Sequence, residues 1–340
     1  MERKVRPRER RVDLPDGRSL VVRPVTPDDT DGLVALYDGL SEDDRYRRFF
    51  SGYRPERAFF ERATSVAERG GAGLVAVECD RDPPRELRIV GEASYELLPN
   101  GDGELAMAVA GDRRGWLGPY LLDCLVESAA ARGVPNLEAD VLATNAPMLA
   151  LLRSRGYATL ASDDWVSVRL MIGTGGGTPV WPRGRVRRGG PGGPRVLVEA
   201  PGGRWHAARQ AADAGLQVIT CSGPRGPRPR CPALAGEPCP LVEGADAVVM
   251  SRPRDEEPWR ALADAHHDVH PGVPVCVEPR PGRDDQDDER LVLSILDRVS
   301  AAAQGSRRRT LSSSDPEPRA RSGGRRGAPE GAVTLRPPRR

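Results

Sequence analysis

The sequence predicts two successive α/β units, a mixed-sheet unit over residues 12–172 and a smaller parallel-sheet unit over residues 195–303. Three observations lead there. Strand-like runs at Gly73–Cys79, Leu87–Glu96 and Glu104–Val109 follow one another through short turn-rich links, which is the pattern of an antiparallel meander. The period then changes from two to 3.6, with Leu121, Leu122, Leu125, Val126 and Ala129 on one helical stripe that Arg132-Gly133 ends. From Arg195 onward, short apolar strands alternate with helical stretches, the rhythm of a parallel sheet with right-handed crossovers.

Along the first unit, Leu20–Val25 reads as a strand, and Thr26-Pro27-Asp28-Asp29 supplies a helix cap with Pro in the first turn. A helix follows through Leu33, Leu36, Tyr37 and Leu40. After the meander and its helix come a strand at Asn136–Leu142, a helix at Ala146–Arg155 and a strand at Trp165–Ile172. The second unit reads as strand Arg195–Glu199, helix Trp205–Ala214 and strand Leu216–Cys221. Strand Asp246–Met250, a helix around Pro258–His266, strand Val273–Glu278 and helix Asp288–Ala303 continue it. It is similar in this pattern to flavodoxin-like or response-regulator receiver domains. No carboxylate stands at the end of Asp246–Met250 where a receiver's phosphoacceptor would be, so a regulatory or interaction module is expected.

The flanks look different. Of 340 residues, 71 are Gly or Pro and 15 are aromatic, so part of the chain cannot be packed core. Residues 173–194, a Gly/Pro/Arg stretch, lose much conformational entropy on ordering for little apolar burial and read as a linker. Residues 304–340 read as a disordered Arg-rich tail, and residues 1–11 as a basic disordered N-terminus. Residues 1–11 and 173–194 each carry +4 and residues 304–340 carry +7, against a net charge of +2 for the whole chain. The parts able to fold are therefore acidic, at about −13, which argues against a nucleic-acid-binding core. No run approaches about 18 apolar residues and the first residues are charged, so a soluble, cytoplasmic protein without membrane contact is expected. The six dispersed cysteines read as reduced thiols. Cys221, Cys231 and Cys239 lack a CxxC pair or a fourth ligand, and no metal is expected. His266, His267 and His270 read as a polar helix terminus rather than a ligand set.

The chemistry is expected at Glu104–Leu122. A strand there runs into an Arg/Gly turn and then a helix with Pro119 in its first turn. That geometry brings unpaired backbone N–H groups and the positive helix end to one point beside Arg113 and Arg114, as a pyrophosphate site requires.

Four stretches, taken together and in order, resemble the GCN5-related N-acetyltransferases, and among them the acetyltransferase domain of bacterial protein-lysine acetyltransferases. They are Val22-Arg-Pro-Val-Thr-Pro-Asp-Asp29, Leu40-Ser-Glu-Asp-Asp-Arg-Tyr-Arg-Arg-Phe-Phe50, Arg114-Gly-Trp-Leu-Gly118, and Asn145 through Tyr157. The resemblance covers about half of the chain. It implies a mixed α/β acetyltransferase fold that binds acetyl-CoA as cosubstrate and transfers the acetyl group directly to an amine, with a protein lysine among the candidate acceptors. The pyrophosphate would rest on Arg113, Arg114, Gly115, Leu117, Gly118 and Pro119, and the pantetheine arm along the main chain of Met107, Ala108 and Val109. Glu104 matches the acidic residue that opens this strand in such enzymes and would be the general base. Asn145 would cap the following helix and touch the CoA arm. The sequence departs from the pattern at Trp116, where Gly is common, and at Leu152, where many members carry a Tyr that protonates the leaving thiolate. Those departures give the alternative expectation of a catalytically degenerate acyl-CoA-binding sensor or scaffold.

Overall fold

In the computed structural model the described residues are 9–81, 84–153, 157–160, 166–175, 178–182, 193–200, 205–221, 231–251, 259–278 and 288–299. The expected C-terminal tail lies outside them, as do the ends of the helices expected to reach Arg155 and Ala303.

Alternation of apolar and polar residues builds the first half of the sheet. Strands β1 (Arg10–Asp13), β2 (Ser19–Pro24), β3 (Ala72–Arg81), β4 (Pro84–Leu97) and β5 (Gly103–Val109) pair antiparallel in that order. Successive side chains point to opposite faces. Leu20 and Val22 join Leu74, Ala76, Val90 and Tyr95 on one face, while Val21 joins Val75, Val77 and Ile89 on the other. Helix α1 (Thr30–Asp38) covers the second face with Leu33, Leu36 and Tyr37. It is preceded by a 3-10 turn in which the Thr26 N–H donates to Asp29 Oδ2 at 2.7 Å. Helices α2 (Glu42–Phe49) and α3 (Arg57–Thr64) follow. Helix α4 (Leu117–Ala131) covers the first face with Leu121, Leu122, Leu125 and Ala129, all fully buried as the stripe implies. Each of those leucines stabilises the fold by about 2 kcal/mol of apolar burial.

Beyond β5 the sheet continues through β6 (Asn136–Leu142), with helix α5 (Ala146–Arg153) after it, then β7 (Tyr157–Leu160) and β8 (Ser167–Gly173). β8 is antiparallel to β6, and β7 is antiparallel to β8. The last four strands are β9 (Arg195–Glu199), β10 (Gln217–Cys221), β11 (Ala247–Met250) and β12 (Val275–Val277). They are parallel in the order β10-β9-β11-β12, the first four positions of a flavodoxin-like order. Helices α6 (Ala208–Asp213), α7 (Pro240–Glu243), α8 (Trp259–Val269) and α9 (288–299) accompany them. Two clusters, around Leu197, Val248 and Trp259 and around Val196, Val249 and Ile295, form the two sides of this parallel sheet.

Three features differ from the sequence expectation. Strand β1 begins at Arg10, inside the basic stretch expected to be disordered. Val12 packs on the core while Arg11 donates to Ser19 Oγ at 2.9 Å, and charge on an edge strand guards an open edge rather than preventing pairing. The short strand β7 had no periodicity long enough to be read. It pairs antiparallel with β10, so both α/β units share one twelve-stranded sheet. Finally, the Gly/Pro/Arg stretch contains a docked segment. Trp181 is buried with its Nε1 donating to Leu241 O at 2.7 Å, and Asn136 exchanges hydrogen bonds with both the N–H and the C=O of Val180 at 2.9 Å. A single tryptophan supplied the apolar area that the composition of that stretch concealed.

Candidate functional site

β5 and β6 run parallel, yet they pair only at Gly103–Leu137 and Glu104–Glu138. The joined end is pinned from within, where Asn136 Nδ2 donates at 3.0 Å to Oδ1 of the fully buried Asp102. Past it, β5 stays on β4 as far as Val109 and β6 stays on β8 as far as Leu142, so the two strands part. The wedge between them is a cleft of about 510 Å³, walled by Leu105–Val109 on one side and Ala139–Val141 on the other. Alternate residues of β5 direct backbone N–H and C=O groups into this gap, where no strand meets them.

The far end of the cleft is the turn between β5 and α4. Gly115 adopts a φ of +98°, a left-handed conformation that side chains resist. Gly115, Gly118 and Pro119 line the cleft, and the first turn of α4 leaves N–H groups without intrahelical partners there. A Cβ on Gly118 would approach Met107 Cε to 3.8 Å, so anything larger than a methyl at 118 projects toward the β5 wall. Trp116 stands where a glycine was expected, and the structure resolves how it is tolerated. Its indole is 40% exposed, lies beside the Tyr120 ring at 6.3 Å between centroids, and does not line the cleft.

The sequence-derived residues divide accordingly. Met107, Ala108, Val109, Arg114, Gly115, Gly118, Pro119 and Asn145 come together around the cleft. Asn145 also caps α5, its Oδ1 accepting from the Met148 N–H at 3.3 Å. Three residues do not line it. Arg113 turns back to the fully buried Glu78, which Arg18 and Arg88 also bind, at 2.7 and 3.1 Å. Leu117 is fully buried in the core beneath α4. Glu104 is exposed at the joined end of β5, five residues from Val109, where its charge reinforces the cationic forms of Arg48 and Arg169. Leu152 packs into the core, and it is Pro147, Met148 and Leu151 that α5 presents to the cleft.

Sequence reasoning missed the roof. Leu40, Asp44, Arg47 and Arg48, from α2 and the residues before it, close the cleft over β5. The signal was present in Leu40–Phe50, one of the four resembling stretches, but an exposed, highly charged eight-residue helix carries no apolar stripe to show which face looks inward. Ser41 Oγ accepts from the Asp44 N–H at 3.2 Å and so starts α2. Asp44 pairs with Arg114 across the cleft mouth. Burial pushes its carboxyl upward, but the Ser41 hydroxyl and the Arg114 guanidinium outweigh that and hold it below the usual carboxylate range. Under α2, the Tyr37 hydroxyl donates to Glu92 Oε1 at 2.6 Å and accepts from Arg48 Nε at 3.2 Å. Burial drives the Glu92 carboxyl up despite Arg48 nearby, and burial together with Glu92 drives the Tyr37 phenol up.

In the parallel half, Cys221 and Cys231 are partly buried and Cys239 is buried, which pushes the Cys239 thiol up to about 11. His266 faces Glu199 at 3.3 Å, and His270 Nε2 accepts from the Cys239 N–H at 3.1 Å. Among the described residues no group of three or more His, Cys, Asp or Glu is arranged to hold a metal ion, and no helix is long and apolar enough to cross a membrane.

No family model matches the chain. Among solved structures it is similar to the GNAT domain of S. lividans PAT, at 27% identity over 48% of this chain and 96% of that one, with a TM-score of 0.43. It is similar to a ribosomal-protein-alanine N-acetyltransferase from Brucella melitensis, at 27% identity over 44% and 96% of the two chains, with a TM-score of 0.36. A third similarity, to a cAMP-binding acyltransferase from Mycobacterium smegmatis, has 24% identity, covers 49% of this chain and 47% of that one, and has a TM-score of 0.33.

Proposed function

We propose that the chain is an acetyl-CoA-dependent N-acetyltransferase of the GCN5-related type, acting on an amine by direct transfer. The observation that carries the reading is the parting of β5 from β6 beside the N-terminus of α4. An extended arm bearing amides can lie in that wedge as an added strand and satisfy the free backbone groups of Met107–Val109. A diphosphate then meets Gly115 and Gly118 at the positive helix end, with Arg114 beside it. A cleft of this volume, with walls of alanine, valine, methionine and leucine and charged groups at Asp44, Arg47, Arg48, Arg114 and Asp140, fits a ligand of that size. Acetyl-CoA, when bound, supplies the activated acyl group. The chain's part is placement, together with backbone N–H groups of β5 aimed at the carbonyl oxygen, where donors of this kind often provide the largest catalytic term.

In this reading Glu104 accepts the proton of the incoming amine, directly or through one water, from the end of β5 opposite the phosphate turn. Glu104 is exposed and adjoins Leu105, which lines the cleft, and that exposure suits proton release. No hydroxyl is presented by Met148 or Leu151, so the leaving thiolate takes its proton from solvent. A protein lysine is the acceptor class this reading favours, because the four stretches resemble those of bacterial protein-lysine acetyltransferases.

The test is release of free CoA from acetyl-CoA in the presence of lysine peptides and small amines. Turnover by the wild type, with kcat lowered about a hundredfold in Glu104→Gln, is expected. Acetyl-CoA binding without release on any acceptor would favour the sensor or scaffold reading instead.

A further inference from the structure

Among the described residues, five charged ones line the cleft: Asp44, Arg47, Arg48, Arg114 and Asp140. Four are in ion pairs. Asp44 is shared by Arg114 and, at 3.5 Å, by Arg47, and Asp140 is held by Arg169 through two hydrogen bonds of 3.0 Å. Arg48 is different. Its Nε donates to the Tyr37 hydroxyl at 3.2 Å and its guanidinium lies 5.1 Å from the Phe49 ring centre, but neither terminal nitrogen has a hydrogen-bond partner among the described residues. The nearest buried carboxylate, Glu92, reaches it through the shared phenol oxygen and through space, not by a direct hydrogen bond. The guanidinium is therefore fixed at one nitrogen, with its two-pronged edge free in the cleft. Tyr37 is itself clamped among Phe49, Phe59 and Phe60, with ring centres 5.2–6.4 Å away, so the anchor is rigid.

A planar fork of N–H donors held in this way matches one chemical partner above others, the two coplanar oxygens of a carboxylate. Its place along the cleft separates it from the phosphate turn. Arg48 follows Asp44 by four residues on α2, one helical turn or about 6 Å from the residue that engages Arg114, and it lies toward the end of β5 occupied by Glu104. We propose that Arg48 forms a carboxylate subsite in the cleft, so that one of the two substrates brings a carboxylate near its reacting group. Two sources have that chemistry: an acceptor amine that also bears a carboxylate, or an acyl group ending in one. The inference rests on the acetyltransferase reading for what else occupies the cleft, but the subsite itself is read without turnover.

The experiment is calorimetric titration of the full chain and of two variants, Arg48→Gln and Arg48→Lys. The lysine variant keeps a positive charge near Glu92 and guards against a loss due only to misfolding. One arm compares 4-aminobutyrate with butylamine, with and without saturating CoA. The other compares succinyl-CoA with acetyl-CoA. The wild type is expected to bind the carboxylate-bearing member of one pair about tenfold or more tightly than the counterpart that lacks the carboxylate. The pair that discriminates identifies the source. Both variants should lose most of that preference while keeping the wild-type circular dichroism spectrum. No preference in either pair for the wild type, or a preference that survives in both variants, overturns the subsite. Failure of acetyl-CoA to bind any form, with the 4-aminobutyrate preference intact without CoA, would remove the acetyltransferase reading and leave the subsite standing.

Discussion

Asp44 near the start of α2 and Arg114 in the turn after β5 form an ion pair across the mouth of the cleft. The pair joins the charged roof to the turn after β5, and it occupies the arginine of that turn that faces the cleft. A diphosphate bound there must take Arg114 from Asp44. Asp44→Asn is therefore expected to tighten acetyl-CoA binding several-fold at low ionic strength, with the gain shrinking at high salt. Titration calorimetry at two salt concentrations checks this, and unchanged or weaker binding at low salt would count against the competition.

Two glycines of the same turn are required for different reasons. Nothing lies within 4 Å of a Cβ built on Gly115, so its φ of +98° is what selects glycine. Gly115→Ala should cost about 1 kcal/mol in chemical denaturation through backbone strain alone. At Gly118, with an ordinary helical backbone, Ala makes only ordinary contacts with Met107 and Leu151 and should leave stability unchanged or slightly raised. Equal destabilisation by both changes would contradict this division.

Acid should loosen the α1 end of the first unit. Burial raises the Asp29 carboxyl, but Arg23, which donates to both its oxygens at 2.8 Å, and the Thr26 N–H outweigh burial and hold it below the usual range. A carboxyl lowered on folding stabilises the folded state above its unfolded pKa of about 3.9 and loses that contribution as pH falls through the lower folded value. Urea midpoints from pH 7 to pH 3 should fall in the wild type and flatten in Asp29→Asn, which starts less stable at pH 7. Glu92 has the opposite sign. Its raised carboxyl favours the protonated folded state, so ionisation opposes folding as pH rises above about 4.3, and Glu92→Gln should lessen that loss.

Trp181 should be a structural anchor. Its ring meets Gly244 so closely that a Cβ there would fall 2.2 Å from Cδ1, Arg195 lies over it at 5.3 Å, and its Nε1 is satisfied by Leu241. Trp181→Ala should cost about 3–5 kcal/mol, and Gly244→Ala should destabilise by overpacking the same contact. Thermal denaturation of both variants checks the pair, and an unchanged midpoint for Trp181→Ala would show that the segment is dispensable.

The strands and helices with long apolar patterns were legible in the sequence: β3, β4, β5, α4 and β6 lie within a few residues of where period and capping predict them. The strand–turn–helix geometry after β5 was legible as well, since glycines and a first-turn proline between strand and helix leave few other geometries. What was hidden depended on partners far away in sequence. Arg113 and Arg114 are adjacent and alike, yet one goes to Glu78 and the other to Asp44, a choice made by residues on β3 and α2. Arg48 was unreadable for the same reason, because its free fork follows from Tyr37 holding its Nε. Strand β7 and the docking of Trp181 escaped notice because four residues or one aromatic show no period.

The central claim is that the first turn of α4 grips the diphosphate of a thioester carrier. Titration of acetyl-CoA into the wild type and into Gly118→Glu tests it most directly, since the variant sets a carboxylate at the helix end where the phosphates would lie. Micromolar binding to the wild type and at least a tenfold loss in the variant, with its fold intact by circular dichroism, is the predicted result. Equal affinity in both proteins would contradict the account.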